Sequence, residues 1–325
     1  MTEDTARQAR TPAARLRQLM RDEDIVVAPG VFDGISARMA LAAGHHALYQ
    51  TGAGTSASRL ARADLGFLGM SDMVGAAGVS IMADPTMTTP VIADADTGFG
   101  GAPQVARTVQ EYHRAGIAAL HIEDQVQSKR CGHLDSKQIV SRQDFISRIR
   151  AAVHARDSLP CVPEDRILII ARTDALAVEG FDEAMDRLSL ARDAGADIGF
   201  LEGMNSSLQA STAIRKLPGW PLMANCVTGG KSPLWTVEHV KLIGFKIAIF
   251  PCAGIFPAAK ALLASYSHLV QHGTGIEAQT DASKSTLDLG GADPAGLRNF
   301  FASMGLDHEV AIDQLAAGGT GLGNV

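Results

Sequence analysis

Residues 90–124, PVIADADTGFGGAPQVARTVQEYHRAGIAALHIED, decide the fold of this chain. Two apolar runs, 90–96 and 118–124, enclose a helical segment, 102–116, that ends at a glycine. Nearly continuous apolar runs that alternate with amphipathic helices are typical of parallel strands covered by helices. Glycine is also the residue most often found just past a helix end. The stretch therefore predicts a strand–helix–strand unit of a parallel sheet.

The same unit recurs along the chain. Six further apolar runs bring the total to eight, and they are IVVAPG (25–30), ALYQTG (47–52), ILIIARTD (167–174), IGFLEG (198–203), PLMANC (221–226) and KIAIFP (246–251). Eight such units fit a closed barrel better than an open sheet. No GxGxxG motif follows the first run, which counts against a dinucleotide-binding domain. We therefore predict an α/β protein built on a (β/α)8 TIM-type barrel.

Domain organisation follows from the same pattern. Residues 1–255 are predicted to form the barrel together with an N-terminal helical leader. Residues 256–325 are predicted to form a C-terminal helical extension, with helices over 256–272, 294–304 and 309–317. A loop over 273–293 and a disordered Gly-rich tail, GGTGLGNV, complete the extension.

Composition excludes several classes of partner. The 35 acidic and 29 basic residues give a formal net charge of −6, and no block of Lys and Arg is present, so neither nucleic acid nor a membrane surface is expected as a partner. No window approaches the roughly 18 apolar residues of a membrane span, and the polar N-terminus lacks a secretory signal. Cys161, Cys226 and Cys252 are interpreted as structural. Because no CxxC pair occurs, we expect a reducing, cytoplasmic compartment.

Polar side chains end seven of the eight runs, and in a barrel these ends meet at one mouth, where TIM-barrel chemistry takes place. For Asp33, Asp124, Thr173 and Asp174, helix N-capping is the favoured interpretation. The remaining side chains are interpreted as a functional set, because so many buried polar groups are costly without a role. The set comprises Tyr49, Thr51, Asp94, Asp96, Glu123, Arg172, Glu202 and Asn225.

Three carboxylates of this set predict a metal site. Asp94 and Asp96 stand two residues apart at a strand end, which places both on one face of a strand. Glu123 ends the next run along the chain. Converging carboxylates repel each other unless a hard divalent cation lies between them, and Mg²⁺ or Mn²⁺ fits oxygen ligands of this kind.

The segment QSKRCGHLDSK, residues 127–137, predicts a reactive thiol. Cys131 lies beside Lys129 and Arg130, with His133 two residues further on and Gly132 as a pivot. Neighbouring cations lower the pKa of a thiol and so favour proton transfer.

These motifs together resemble the isocitrate lyase/phosphoenolpyruvate mutase superfamily. The resemblance covers residues 13–270 and rests on APGVFDGISA, YQTGAGTSAS with RADLG, ADADTGFGG, HIEDQ, KRCGH, ARTDA, FLEG, and AN followed by GGKSP. It implies a metal held by Asp94 and Asp96, with Glu123 acting through water. It further implies that Thr51, Gly52 and Ala53 bind the substrate carboxylate, and that Cys131 exchanges a proton with carbon from a mobile loop. Further substrate contacts are implied for Gly132, Arg172, Glu202 and Asn225.

The same resemblance implies the reaction. KRCGH favours carbon–carbon cleavage, so we expect a Mg²⁺-dependent lyase that converts a 2-hydroxy di- or tricarboxylate, of the 2,3-dimethylmalate or 2-methylisocitrate type, to a 2-oxo acid and a carboxylic acid. Tyr49 would help to deprotonate the hydroxyl, and His133 and Glu202 would assist proton transfer. Oxaloacetate hydrolysis to oxalate and acetate, oxaloacetate decarboxylation and a catalytically silent scaffold are the alternatives. A homotetramer with C-terminal helices exchanged between barrels is also implied.

Overall fold

The computed structural model describes residues 11–129, 137–227, 229–230, 232–274 and 294–316. Within them, eight parallel strands close a barrel in chain order, which confirms the (β/α)8 fold. The strands are β1 (Val26–Val31), β2 (Leu48–Gln50), β3 (Val91–Asp94), β4 (Ala119–Glu123), β5 (Leu168–Thr173), β6 (Ile198–Leu201), β7 (Leu222–Asn225) and β8 (Ile247–Phe250).

Helices follow the strands in the alternation that the sequence predicts. They are α1 (Pro12–Asp22), α2 (Gly34–Ala42), α3 (Gly52–Leu60), α4 (Met70–Met82), α5 (Ala102–Arg114), α6 (Arg142–Asp157), α7 (Phe181–Asp193), α8 (Ser207–Lys216), α9 (Val237–Ile243), α10 (Ile255–His272), α11 (Pro294–Ser303) and α12 (Leu306–Ala316). Short 3₁₀ turns occupy Pro163–Asp165 and Ala175–Ala177. No helix in the described ranges has both the length and the apolar character needed to cross a membrane.

Helix α5 illustrates how the sequence forms these elements. Gly101 precedes it as N-cap, a proline lies in its first turn, and His113 and Arg114 lie in its last turn, where cations favour the helix dipole. Val105, Val109 and Tyr112 are spaced along one helical face and are buried. Because these side chains share one face, α5 packs against the barrel. The loop 95–101, which joins β3 to α5, therefore lies at the end of β3.

The barrel interior is filled by aliphatic side chains and by a group of aromatic rings that includes a histidine. Residues such as Ile92, Ile170 and Met223 fill it. The His121 ring is fully buried, stacks on the Tyr49 ring and meets the Phe200 ring edge-on. These rings come from β4, β2 and β6 and form one layer across the interior. The layer carries polar atoms on Tyr49 and His121 and lies next to the side chains that end the strands.

The described residues divide into two compact units. One holds the residues numbered up to 37 and from 45 to 255, and the other those from 38 to 44 and from 256 onward. In the second unit, α10 leaves apolar side chains exposed, among them Leu263 at 70% and Val270 at 87%. The predicted loop over 273–293 and the Gly-rich tail lie almost wholly outside the described residues.

Candidate active site

Buried polar side chains converge where the barrel strands end. Arg172, at the end of β5, lies between two carboxylates: its Nε is 3.2 Å from Oε2 of Glu123, and its Nη2 is 3.5 Å from Oε2 of Glu202. Asn225, at the end of β7, donates from Nδ2 to the same Glu202 oxygen at 3.0 Å. Arg172 also lies over the Phe200 ring, 5.2 Å from its centroid. Strands β4 to β7 therefore deliver the predicted residues to one cluster.

Asp94 and Asp96 reach this mouth in different ways. Asp94 is the last residue of β3, whereas Asp96 lies beyond the strand with a left-handed φ of 46°. The expectation that both share one strand face is therefore wrong, because β3 ends at Asp94 and the backbone turns at Asp96. The turn still brings them together, since the Asp96 amide donates to Oδ1 of Asp94 at 2.9 Å. Burial raises the pKa of Asp96 to about 7, and repulsion from Asp94 adds to the shift while Lys129 opposes it.

Lys129 supplies a cation to this acidic group. Its Nζ lies 2.7 Å from Oδ1 of Asp96 and also bonds the Asp64 carboxylate. The side chain is 4% exposed, and the surrounding carboxylates raise the pKa of its ammonium well above the usual range, against the effect of burial. Lys129 is therefore a fixed positive charge at the acidic mouth.

The carboxylates fit a divalent cation that keeps part of its water. Oε1 of Glu123 is buried and accepts no hydrogen bond from the residues that the structure describes, and burial raises the pKa of Glu123 well above its usual range. Within the described ranges, no three carboxylate, imidazole or thiol side chains gather into a complete ligand set. Mg²⁺ is commonly held by only one or two carboxylates plus water and substrate oxygens. Asp94, Asp96 and Glu123 could hold it in that manner.

Tyr49 and His121 form a hydrogen-bonded pair beneath Asp94. The Tyr49 hydroxyl is 2.9 Å from Nε2 of His121, and that nitrogen is 3.6 Å from Oδ1 of Asp94. Burial raises the pKa of Tyr49 well above 10 and lowers the pKa of His121 to about 4. The pair is therefore a neutral phenol and a neutral imidazole, so it adds no charge to the mouth. Sequence reasoning missed His121, although its place two residues before Glu123 puts it on the same strand face.

The N-terminus of α3 reaches the mouth through Gly52. Thr51 is its N-cap, and the Thr51 side chain accepts from the Gly54 amide. A Cβ at Gly52 would overlap Oδ2 of Asp94, so only glycine lets the α3 backbone approach this carboxylate. The amides of Gly52 and Ala53 belong to the first turn of the helix, where backbone N–H groups favour anions.

Gly52→Ala is expected to lower kcat/KM by about 10–100-fold, because the new methyl group displaces Asp94. Mn²⁺ affinity, measured by isothermal titration, should fall in the same variant. Gly78→Ala is the matched control, since a Cβ at this α4 position meets no atom within 4 Å. Unchanged metal affinity in Gly52→Ala would contradict the tight approach of α3 to Asp94.

Helix capping, predicted for four rim residues, holds for Asp33 and in part for Thr173. Oδ1 of Asp33 accepts from the Ser36 amide at 2.7 Å in the first turn of α2. The Thr173 hydroxyl accepts from the Ala175 amide at 3.2 Å but also donates to Asp124 at 2.6 Å. For Asp124 and Asp174 the prediction is wrong, because both carboxylates are buried and bind cationic side chains from distant segments, Arg187 for Asp124 and Lys137 for Asp174.

Three predicted site residues lie outside the described residues: Cys131, Gly132 and His133. The roles assigned to them stay predictions. Asp64, which sequence reasoning quoted only as part of RADLG, joins the site through Lys129. No local signal marks its role, because its partner lies 65 residues further along the chain.

The structure is thus a closed parallel barrel with a buried, acid-rich mouth at the ends of its strands. A family model described as phosphoenolpyruvate phosphomutase matches residues 16–270. The chain belongs to the phosphoenolpyruvate mutase/isocitrate lyase superfamily, and within it the chain is a carbon–carbon lyase.

Similar proteins come from several branches of this superfamily. A 2,3-dimethylmalate lyase of Eubacterium barkeri is 42% identical over 251 residues, which cover 77% of this chain and 83% of the relative. A 2-methylisocitrate lyase of Aeropyrum pernix is 42% identical over 263 residues, 81% of each chain. A solved oxaloacetate acetylhydrolase with the inhibitor 3,3-difluorooxalacetate matches with a TM-score of 0.85 and 42% identity, covering 96% of this chain and 99% of that one.

Proposed function

We propose that this lyase cleaves the C2–C3 bond of a 2-hydroxy di- or tricarboxylate, of the 2,3-dimethylmalate or 2-methylisocitrate type, to a 2-oxo acid such as pyruvate and a second carboxylic acid. The observation that carries the proposal is a buried guanidinium, that of Arg172, set between Glu123 and Glu202 at an acidic mouth. The names of the two similar lyases support the same substrate class.

A divalent cation, Mg²⁺ or Mn²⁺, would be held by Asp94, Asp96 and Glu123. When bound, such an ion supplies Lewis-acid polarisation of the substrate oxygens. The chain itself already offsets part of the acidic charge through Lys129, and the remaining excess of carboxylates favours a further cation.

Groups of the protein itself bind the substrate, stabilise developing charge and hold the Glu202 carboxylate in place. Amides at the start of α3, from Gly52 and Ala53, bind the substrate carboxylate with Thr51 as their N-cap. Arg172 stabilises negative charge that develops on oxygen as the C2–C3 bond breaks. Asn225 and Arg172 both contact Oε2 of Glu202 and so fix that carboxylate against the substrate.

Proton movements complete the reaction. The substrate hydroxyl gives its proton to the Glu202 carboxylate as its oxygen becomes the carbonyl of the 2-oxo acid, and the electron pair of the broken C2–C3 bond remains on C3. Cys131 then protonates C3 as general acid, with His133 and Glu202 assisting the proton transfer. Tyr49 enters as a phenol that hydrogen-bonds the hydroxyl, because its raised pKa disfavours the phenolate as base.

The second candidate is oxaloacetate hydrolysis to oxalate and acetate, and the solved acetylhydrolase favours it. The same residues would serve, with a water or hydrated 2-oxo group in place of the substrate hydroxyl. Oxaloacetate decarboxylation uses the same substrate.

A substrate panel decides between these activities. Dimethylmalate, citramalate, methylisocitrate, isocitrate, oxaloacetate and phosphonopyruvate should be assayed for 2-oxo acid and for oxalate. We expect pyruvate from dimethylmalate with the highest kcat/KM. Oxalate from oxaloacetate as the dominant product would replace the lyase proposal by the hydrolase.

Metal removal is part of the same experiment. Rigorous chelation should abolish turnover, and added Mg²⁺ or Mn²⁺ should restore it. Zn²⁺ and Ca²⁺ are added to the chelated enzyme in parallel, as the comparison for Mg²⁺ and Mn²⁺. Full activity after chelation would remove the cation from the proposal.

A cytoplasmic homotetramer is proposed on separate grounds. Helix α10 has no buried residue and exposes Leu263 and Val270 among other apolar side chains, as a helix that packs against another subunit would. The sequence, with no CxxC pair, favours a reducing compartment.

A further inference from the structure

A buried chain of charges leads from Arg172 through Asp174 to Lys137. Nε of Arg172 donates to Oδ2 of Asp174 at 3.0 Å, and its Nη2 lies 3.3 Å from Oδ1. Nζ of Lys137 donates to the same Oδ1 at 2.7 Å. The Asp174 and Lys137 side chains are 0% and 1% exposed, so their interaction is not screened by water. One carboxylate is therefore shared between two cations.

Lys137 is fixed in place by the backbone around it. Residue 139 bridges antiparallel to residue 125, and the Val126 amide donates to the Gln138 carbonyl at 3.0 Å. The Val140 amide donates to the Asp124 carbonyl at 2.8 Å. These bonds tie the residues after Lys137 to the segment that follows β4. The ammonium thus enters the interior from a rigid support.

Asp174 is fixed equally well. Its amide donates to Oδ1 of Asp124 at 2.8 Å, and Arg187 of α7 contacts Oδ2 of that carboxylate at 3.2 Å. Burial alone would raise the pKa of Asp174, but the charges of Arg172 and Lys137 lower it to about 2. Asp174 is therefore an anion whose charge is divided between two partners.

The division of that charge matters for Arg172. Three carboxylates contact this guanidinium, from Glu123, Asp174 and Glu202. A buried anion that loses one of two cationic partners pulls harder on the other, because the interior screens charge poorly. Without the Lys137 ammonium, Asp174 would bind Nε and Nη2 of Arg172 more tightly. These are the same nitrogens that contact Glu123 and Glu202, so Asp174 would weaken those contacts and neutralise more of the guanidinium charge.

We propose that Lys137 is a positioning residue that shares the Asp174 carboxylate and thereby keeps the Arg172 guanidinium directed at the mouth. The inference rests on the proposed function in one respect: the role of Arg172 in stabilising charge comes from that proposal. Lys137 itself touches no reacting atom in this scheme, and the proposed effect passes through Asp174.

Lys137→Met removes the charge and keeps the length of the side chain. We expect kcat to fall by about 10–100-fold, as for other residues that orient a functional group, with a smaller change in KM. Lys137→Arg keeps the charge and should recover most of the loss. In an Asp174→Asn background, Lys137→Met should change kcat little further, because the carboxylate that transmits the effect is gone.

A matched control separates positioning from general stability. Lys216 and Asp182 form an exposed lysine–aspartate pair at 2.9 Å, so Lys216→Met should leave kcat and KM unchanged. Thermal melts of every variant are recorded alongside the kinetics. A Lys137→Met enzyme with a lower melting temperature but wild-type kcat per folded molecule would overturn the inference, as would equal effects of Lys137→Met with and without Asp174.

A crystal structure of Lys137→Met gives a readout that does not depend on activity. The contact between Nη2 of Arg172 and Oδ1 of Asp174, 3.3 Å in the wild-type structure, should shorten, and the contacts of Arg172 with Glu123 and Glu202 should lengthen. An unmoved Arg172 refutes the inference while leaving the proposed reaction intact. Conversely, a wild-type enzyme inactive on the whole substrate panel refutes the proposed reaction, and the position of Arg172 in the variant still decides the role of Lys137.

Discussion

Arg172→Met should lower kcat/KM by about 10²–10³-fold, the loss expected when a fixed charge that stabilises a developing oxyanion is removed. The guanidinium is 8% exposed and is held by Glu123, Asp174 and Glu202. Because the surrounding carboxylates raise its pKa well above the usual range, against the effect of burial, it stays charged at any working pH. Its orientation is fixed before substrate arrives, so little reorganisation is needed during the reaction.

Removing this charge leaves three buried carboxylates without their shared partner, and Arg172→Met should also destabilise the fold. Arg172→Lys is therefore the second variant, since it keeps one positive charge but loses the planar fork of donors. We expect Arg172→Lys to fold and to retain only about a tenth or less of kcat/KM, because a point charge cannot bridge Glu123 and Glu202. Steady-state kinetics and thermal melts measure both effects.

Arg156→Lys is the matched control for Arg172→Lys. Arg156 is 12% exposed at its side chain and bonds Asp157 and Asp197 at the end of α6, away from the strand ends that carry the site. Its replacement should lower the melting temperature without changing kcat/KM. If Arg172→Lys and Arg156→Lys have the same kinetic effect, the special role of Arg172 is disproved.

The strands were predictable because each is encoded by a short, continuous run of apolar residues. A parallel strand buried on both faces must be apolar along its length, so eight apolar runs predicted eight strands to within two residues of their ends. The barrel then required no further information, since right-handed strand–helix–strand units close naturally at eight. Site residues at the ends of these strands, such as Glu123 and Arg172, were predictable for the same reason.

Residues whose partners lie far along the chain were not predictable. Asp124 and Asp174 have the local features of helix caps, but their carboxylates bind groups 63 and 37 residues away, respectively. Asp96 was assigned to a strand face because the alternation continues through it, whereas the backbone turns at a left-handed φ. A pattern of residue types shows neither the contacts between residues far apart in sequence nor the points at which the backbone turns.

The charges of the mouth explain why so many of these distant contacts exist. Carboxylates of Asp64, Asp94, Asp96, Glu123, Asp174 and Glu202 lie close to Lys129, Lys137 and Arg172. His121 adds no positive charge, because burial lowers its pKa to about 4. Among these residues six carboxylates face three cations, and the excess of negative charge favours the further cation proposed to bind Asp94, Asp96 and Glu123.

Cys131→Ala should lower kcat by about 10²–10⁴-fold, the range typical of losing a general acid. Breaking the C2–C3 bond leaves an electron pair on C3, and the thiol is the proposed source of its proton. Lys129, two residues earlier in the sequence, bonds Asp96, so the segment that carries the thiol begins at the acidic mouth. Cys161→Ala is the matched control, because that thiol is half-buried and meets His113 at 3.8 Å.

Deuterium tracing makes the assignment specific. In D₂O, the wild-type enzyme should place one deuterium on the released acid, at the carbon that was C3 of the substrate and is now next to the carboxylate. Slow-turnover Cys131→Ala should bind Mn²⁺ and the 2-oxo acid product normally while losing its ability to exchange protons at that carbon. Cys131→Ser should restore little, since a hydroxyl is a far weaker acid than a thiol. Near wild-type exchange in Cys131→Ala would assign the proton to another donor, with Tyr49 the next candidate because its phenol is already positioned beside Asp94 through His121.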